Sequence, residues 1–308
     1  MAESVFHRYR DIIPQYGAFF AALNRPLPTC IWGNPRKTTA DELETHFRRQ
    51  NIDFQPVDWR PMTYRLDSTD HPGTRFGFLA GLYQIQEEVS MLPVECLDLK
   101  AGQRVLDTCA APGSKTSLMA ATVGPRATII ANDRNFRRMA PLGRSLDRLG
   151  IANTSMMTHD ATNLPVDIGT FDRVLADVPC SCEGTSRKTT HPTVATDADF
   201  QQLCTIQRAI LKRSLELARP GGRVVYSTCT YAPEENEAIV DSILDEFGDN
   251  WSVVPADIDG IASSPGCVSW RGERYDDQLR NAIRIYPHQN DTGGFFVAIL
   301  QHRVDCHG

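Results

Sequence analysis

Two cysteines stand where a thiol can react. Cys180 lies in Asp177-Val178-Pro179-Cys180-Ser181 and Cys229 in Ser227-Thr228-Cys229-Thr230. Each follows an apolar, β-prone run, which places it in a polar turn at the end of a predicted strand. Most free cysteines act as small buried hydrophobes. Cys30, Cys96, Cys204, Cys267 and Cys306 fit that description or sit in loops without a role. A thiol in a polar turn can instead become a thiolate nucleophile. Cys182 follows closely on Cys180, but zinc takes about four ligands at C-x-x-C-type spacing and no second pair follows. No metal is therefore expected. A Cys180–Cys229 redox pair remains an alternative.

A second stretch, Val105 to Lys115 (V-L-D-T-C-A-A-P-G-S-K), reads as a buried strand, a tight turn and a helix start. Pro112 and Gly113 break the strand, and Ser114 can cap the helix. A helix N-terminus beside the carboxyl end of a strand offers free backbone N–H groups to a ligand. Neither a P-loop nor a G-x-G-x-x-G fingerprint fits, because only Gly113 is present where three glycines are needed. The loop is not built to wrap a pyrophosphate. Asp133 ends the next strand and can hold a ribose hydroxyl pair. Those features suit a nucleoside cofactor without a diphosphate, of which S-adenosylmethionine is the common one. They equally suit a structural strand–helix turn with an ordinary surface Asp.

These residues need strands to hold them. The pattern predicts strands over 105–107, 127–132, 154–158, 171–178, 223–228 and 295–300. Helices are predicted over 86–97, 116–122, 136–149, 200–218 and 234–247. Such alternation means a doubly wound, mostly parallel sheet. Asp107, Asp133, Asp160, Asp177 and Cys229 all fall at carboxyl ends of those strands, the edge where open α/β sheets bind ligands. Residues 1–75 read as a separate small α/β module, with a helix over 6–23 interrupted by Pro14, strands over 29–32 and 52–59, and a capping box at Thr39 to Glu42. Residues 76–308 form the larger domain.

The composition is that of an ordinary globular chain, with 41% apolar and 23% charged residues. No apolar run approaches a membrane span, and the start lacks a secretory core. Nine cysteines in no framework suit a reducing compartment. A cytoplasmic monomer is expected. The net charge of −6 argues against a strongly electrostatic nucleic-acid binder, although Arg126, Arg134, Arg137, Arg138, Arg144 and Arg148 form a local cluster.

One reaction uses a thiolate, a carboxylate and a methyl donor together. Carbon-5 of cytosine is a poor nucleophile until a thiolate adds to carbon-6. An acid near the base nitrogen at position 3 stabilises the adduct, and a base must then remove the carbon-5 proton.

The blocks D-T-C-A-A-P-G-S-K-T (107–116), D-V-P-C-S-C-E-G-T-S-R-K (177–188) and Y-S-T-C-T-Y-A-P-E-E-N-E (226–237) resemble the signatures of the Nop/Sun family of RNA cytosine-5 methyltransferases. Y-Q-I-Q-E-E-V-S-M-L-P (83–93) and D-T-G-G-F-F-V-A-I-L (291–300) are similar to it as well. The resemblance implies a seven-stranded methyltransferase sheet behind a small N-terminal module that touches RNA. It implies Cys229 as the nucleophile, Cys180 as the thiol that assists adduct breakdown, and Asp177 as the contact to cytosine. It assigns the S-adenosylmethionine site to the loop Cys109, Ala110, Ala111, Pro112, Gly113, Ser114 and Lys115, with Asp133, Arg138, Asp160 and Asp177. The ending 287–296 is closer to tRNA-modifying branches, so tRNA is the expected substrate and rRNA the next. A non-catalytic RNA-binding protein on the same fold is the alternative of another class. Cys182 departs from the family, which usually has Gly there. The segment 183–199 is expected as a mobile strip over the site, with Arg187, Lys188 and His191 on RNA phosphates.

Overall fold

A computed structural model describes residues 6–188, 197–256 and 258–303. The N-terminal part forms a four-stranded sheet from β1 (Thr29–Gly33), β2 (Gln55–Pro56), β3 (Thr63–Leu66) and β4 (Tyr83–Ile85). Its order is β2-β3-β1-β4. Helix α1 spans Tyr16–Leu23 and α2 spans Ala40–Arg49. The Thr39–Glu42 capping box forms at the start of α2, with both reciprocal hydrogen bonds present. Leu43 and Phe47 then pack on Ile31, Tyr64 and Tyr83.

Two sequence expectations change in the folded chain. Because β4 completes this sheet, the module runs past residue 75, and the strand expected over 52–59 shrinks to two residues with β3 as its partner. The first helical segment packs against the larger domain. Pro14 splits it, leaving a 3-10 turn at His7–Tyr9 followed by α1. Phe6, Tyr9 and Phe19 are buried against Tyr231, Trp270 and Tyr286 of the larger domain.

The larger domain is built on β5 (Arg104–Asp107), β6 (Thr128–Asn132), β7 (Thr154–Met157), β8 (Phe171–Asp177) and β9 (Ala218–Thr228). All four contacts among these five strands are parallel. Four further strands, β10 (Trp251–Val254), β11 (Ser264–Pro265), β14 (Ile283–Ile285) and β15 (Phe295–His302), extend the sheet antiparallel beyond β9. Among the described residues the sheet therefore has nine strands rather than seven. A small hairpin joins β12 (Ser269–Trp270) to β13 (Glu273–Arg274).

Alternation along the strands explains why they read as apolar runs. Leu106, Val174, Ala176, Val224, Tyr226, Phe296 and Ala298 face one core. Val105, Leu175, Val225, Val297 and Ile299 face the other. A sheet covered on both faces needs apolar residues in both phases. Helices α3 (Ser114–Val123) and α4 (Phe136–Leu149) cover the second core, and α5 (Asp197–Leu217) and α6 (Glu237–Phe247) the first. The helix expected over 86–97 is instead a 3-10 turn followed by a short helix at Leu92–Cys96. Pro93 suits only the first turn of a helix.

Two buried polar contacts fasten this frame. Asp107, at the end of β5, accepts a hydrogen bond from Thr116 Oγ1 of α3 at 2.6 Å, which locks strand to helix. Its other oxygen is buried without a partner, and burial pushes its carboxyl up to about 7. Arg284 on β14 and Glu237 at the start of α6 form an ion pair that is essentially unexposed on both sides.

Two outcomes are expected. Glu237→Ala leaves Arg284 as an uncompensated buried charge and lowers unfolding free energy by about 3–5 kcal/mol in urea titration. The folded state holds the Asp107 proton more tightly than the unfolded chain, whose value is near 3.8. Its stabilising contribution is thus complete below 3.8 and is lost as pH rises to about 7. Asp107→Asn, which mimics the neutral acid, removes that decline of up to about 1.4 kcal/mol per pH unit.

Candidate active site

The carboxyl ends of β5, β6, β8 and β9 meet at a cavity of about 640 Å³. Below it, the turn after β5 is set by Gly113, the residue before α3, whose φ is +111°. A Cβ there would lie 2.6 Å from Leu142 Cδ1. Glycine is thus required both by its dihedral and by the close approach of α4. Ser114 was expected to cap α3; the cap position belongs to Gly113, which makes no side-chain cap, and Ser114 is the first helical residue.

Cys109, Ala111, Pro112, Lys115, Asp133, Arg138, Asp160 and Asp177 line the cavity. Ala110 and Ser114 face a smaller adjoining space of about 110 Å³, together with Asp107. Asp133 is nearly buried and accepts from the backbone N–H groups of Ala111 and Asn135 at 3.3 and 2.9 Å. A carboxylate has about four lone-pair positions, so two remain for a ligand's hydroxyl pair. Arg138 holds the loop by donating to the Ala111 carbonyl at 3.0 Å. Asp160 stands exposed on the rim, and the Thr162 backbone N–H holds its carboxyl below the usual range. Burial pushes the Cys109 thiol up.

Asp177 ends β8, and β9 runs parallel beside it with Ser227 opposite. One Asp177 oxygen accepts from Ser227 Oγ at 2.8 Å and the other from Lys115 Nζ at 2.7 Å. Burial opposes the Lys115 charge, but Asp177 outweighs it and raises the group. Lys115 also lies 5.3 Å from the centre of the Phe295 ring. It therefore reaches across the cavity floor to fix the carboxylate.

The same strand pairing brings the thiols together. Cys180 Sγ lies 3.5 Å from Cys229 Sγ and 4.0 Å from Cys182 Sγ. Cys182 has a φ of +60°, the left-handed region that its usual glycine counterpart enters without cost. Hydrogen bonding from its two sulfur neighbours lowers the exposed Cys182 thiol to about 3. Cys180 is raised by its hydrogen bonds to Cys182 and Cys229 and by burial. At Cys229 the contact from Cys180 lowers the thiol, but Cys182 and burial prevail and raise it.

Two buried carboxylates hold these loops, and neither was among the expected site residues. Glu183 accepts from Tyr9 Oη at 2.8 Å and from Thr230 Oγ1 at 3.0 Å, and burial raises it. Glu235 accepts from the Ser181 backbone N–H and from Gln207 Nε2 at 3.0 and 2.7 Å. Their signal in the sequence is an acid placed close to each thiol motif, where a turn has backbone donors to satisfy.

The expected RNA contacts fare unevenly. The Arg187 side chain is wholly buried, bonded to Asp291 and to the carbonyls of Pro26 and Thr292, so it is an internal brace and not a phosphate contact. Lys188 is exposed, and His191 lies outside the described residues. Glu183–Lys188 is not a free strip either. It is a 3-10 turn pinned between Cys229 and Gly294, with Gly184 N–H donating to the Cys229 carbonyl and Gly294 N–H to the Gly184 carbonyl, each at 2.8 Å.

The family model for the 16S rRNA methyltransferase RsmB/F matches residues 94–301, and the model for the N-terminal domain of 16S rRNA methyltransferase RsmF matches residues 2–88. The chain is 34% identical to the 28S rRNA (cytosine(4447)-C(5))-methyltransferase of Homo sapiens over 91% of its own length, but it spans 35% of that longer protein. It is 32% identical to the tRNA (cytosine(49)-C(5))-methyltransferase of Pyrococcus abyssi, covering 92% of this chain and 91% of that one. A methyltransferase homolog protein from Pyrococcus horikoshii superposes with a TM-score of 0.85 at 30% identity, over 96% of this chain and 93% of that one. With the signature cysteines and acids gathered on one sheet edge and both family models matched in order, the chain belongs to the Nop/Sun family of RNA cytosine-5 methyltransferases.

Proposed function

We propose that the chain transfers a methyl group from S-adenosylmethionine to carbon-5 of a cytidine in RNA, with tRNA as substrate. The observation that carries this is the pair Cys180–Cys229, 3.5 Å apart, beside a carboxylate that Lys115 and Ser227 fix in place. The cavity suits the cofactor, since Asp133 keeps free acceptor positions and the turn before α3 approaches without a phosphate cradle. When bound, the cofactor supplies an electrophilic methyl carbon.

Every other part of the chemistry falls to the chain. Cys229 Sγ adds to carbon-6 of the base, which makes carbon-5 nucleophilic. Asp177, held at the β8 end, meets the polar edge of the base and stabilises the adduct. Cys180 assists release by taking the carbon-5 proton, and the electrons of that C–H bond re-form the C5–C6 double bond and expel the Cys229 thiolate. A cytidine inside a helix cannot reach this cavity, so the target base must be unpaired or flipped out. Among the described residues, Lys188 is the exposed cation of the expected RNA contacts. The tRNA reading is supported by a relative, a tRNA methyltransferase, of which this chain spans 91%. The rRNA reading is supported by the family models and the longer relatives.

Nucleoside mass spectrometry after incubation with unmodified tRNA and rRNA in parallel decides between them. The expected product is 5-methylcytidine in tRNA. Cys229→Ala should reduce it by about a thousandfold or more. Cys180→Ala should instead leave RNA bound to the protein through denaturing electrophoresis. Absence of the product from both RNAs with the unaltered chain, despite cofactor binding, would overturn the reading.

A further inference from the structure

Cys182 is the thiol that the proposed reaction leaves over, and the fold sets its sulfur beside the other two. The Sγ atoms of Cys180, Cys182 and Cys229 all lie within 4.8 Å of one another. We propose that they form a binding site for one thiophilic d10 cation, Zn2+ above all, with the fourth coordination position open to the cavity.

The geometry is that of a ligand set. Zn–S bonds of about 2.3 Å at tetrahedral angles hold sulfurs about 3.8 Å apart. The separations in the fold are 3.5 Å for Cys180–Cys229 and 4.0 Å for Cys180–Cys182. Thiolate sets of this kind select Zn2+ and Cu+ over harder ions. The backbone beneath them is fixed independently of any ion. Ser181 Oγ and Thr230 Oγ1 are 2.7 Å apart, and Gly184 N–H donates to the Cys229 carbonyl. The ligands are thus held near their positions before an ion arrives, which lowers the cost of binding. All three cysteines line the cavity, so an entry path exists. Residue 182 decides the matter, because a glycine there leaves two sulfurs and no cage.

An ion on Cys229 takes the sulfur lone pair that adds to carbon-6, so bound Zn2+ arrests methyl transfer. That consequence rests on the proposed role of Cys229; the metal site does not.

The test uses the full chain, reduced and stripped with a chelator, titrated with Zn2+ against a chromophoric competitor and separately with Co2+. One ion per chain is expected, with intense thiolate-to-cobalt charge-transfer absorption. Cys182→Gly removes one sulfur and relieves the left-handed backbone, so it folds; its Zn2+ affinity should fall at least about a hundredfold. Cys182→Ser, which keeps the side-chain bulk, should behave alike. Zn2+ binding by Cys182→Gly equal to the parent, or Co2+ binding without thiolate charge transfer, would overturn the proposal. Zn2+ that blocks methyl transfer in the parent and not in Cys182→Gly would support it further. A parent that binds Zn2+ through these thiols yet methylates no RNA would sink the functional reading and leave the metal site standing.

Discussion

The parallel pairing of β8 with β9 is the contact on which the site depends. Asp177 and Ser227 stand opposite each other in that register, and the two chains then turn out of the sheet side by side. Asp177, Cys180 and Cys229 all hang on those two turns. A slip of one residue would send each strand's side chains to the opposite face. Cys229 and Cys180 would then no longer share a wall of the cavity. The register is protected by burial on both faces, with Val174 and Ala176 in one core and Leu175 and Val225 in the other. The precision of the thiol pair is thus a property of the whole sheet.

Charge is arranged around that register in layers. Asp177 is fixed by one cation and one hydroxyl. Glu183 and Glu235 are drawn inward to satisfy turn donors, and both are raised by burial. A turn with this many buried polar atoms is ordered only when each atom has a partner. Lys115 serves two elements at once, as part of the α3 start and as the anchor of the β8 end.

Much of this was legible from the chain. Acids at strand ends are a local signal, and Asp133, Asp160 and Asp177 all reach the cavity. Asp107 does not, because Thr116 turns it beneath the loop, and no local pattern reports on that. Strands β10, β11 and β14 escaped notice since they are two to four residues long and are held by pairing to β15 or to each other. Arg187 read as a surface cation because its partners, Pro26, Asp291 and Thr292, are far away in sequence. Ligand spacing along the chain does not report that Cys229 joins Cys180 and Cys182, because that meeting is made only through the sheet. What the sequence hides in each case is a contact made at long range.

The first residues of the described chain carry a further implication. Tyr286 Oη donates to the Ile12 carbonyl, a separation of 274 residues, and Tyr9 closes on Glu183. During synthesis the ribosome delivers this apolar segment long before its seat exists. Phe6, Tyr9 and Phe19 must wait, uncovered, until β14 and the turn after it have emerged. Loop closure over so many residues is slow to be rewarded. The docking of this segment therefore comes late in folding, and the nascent chain exposes an aromatic cluster that a chaperone can hold in the meantime.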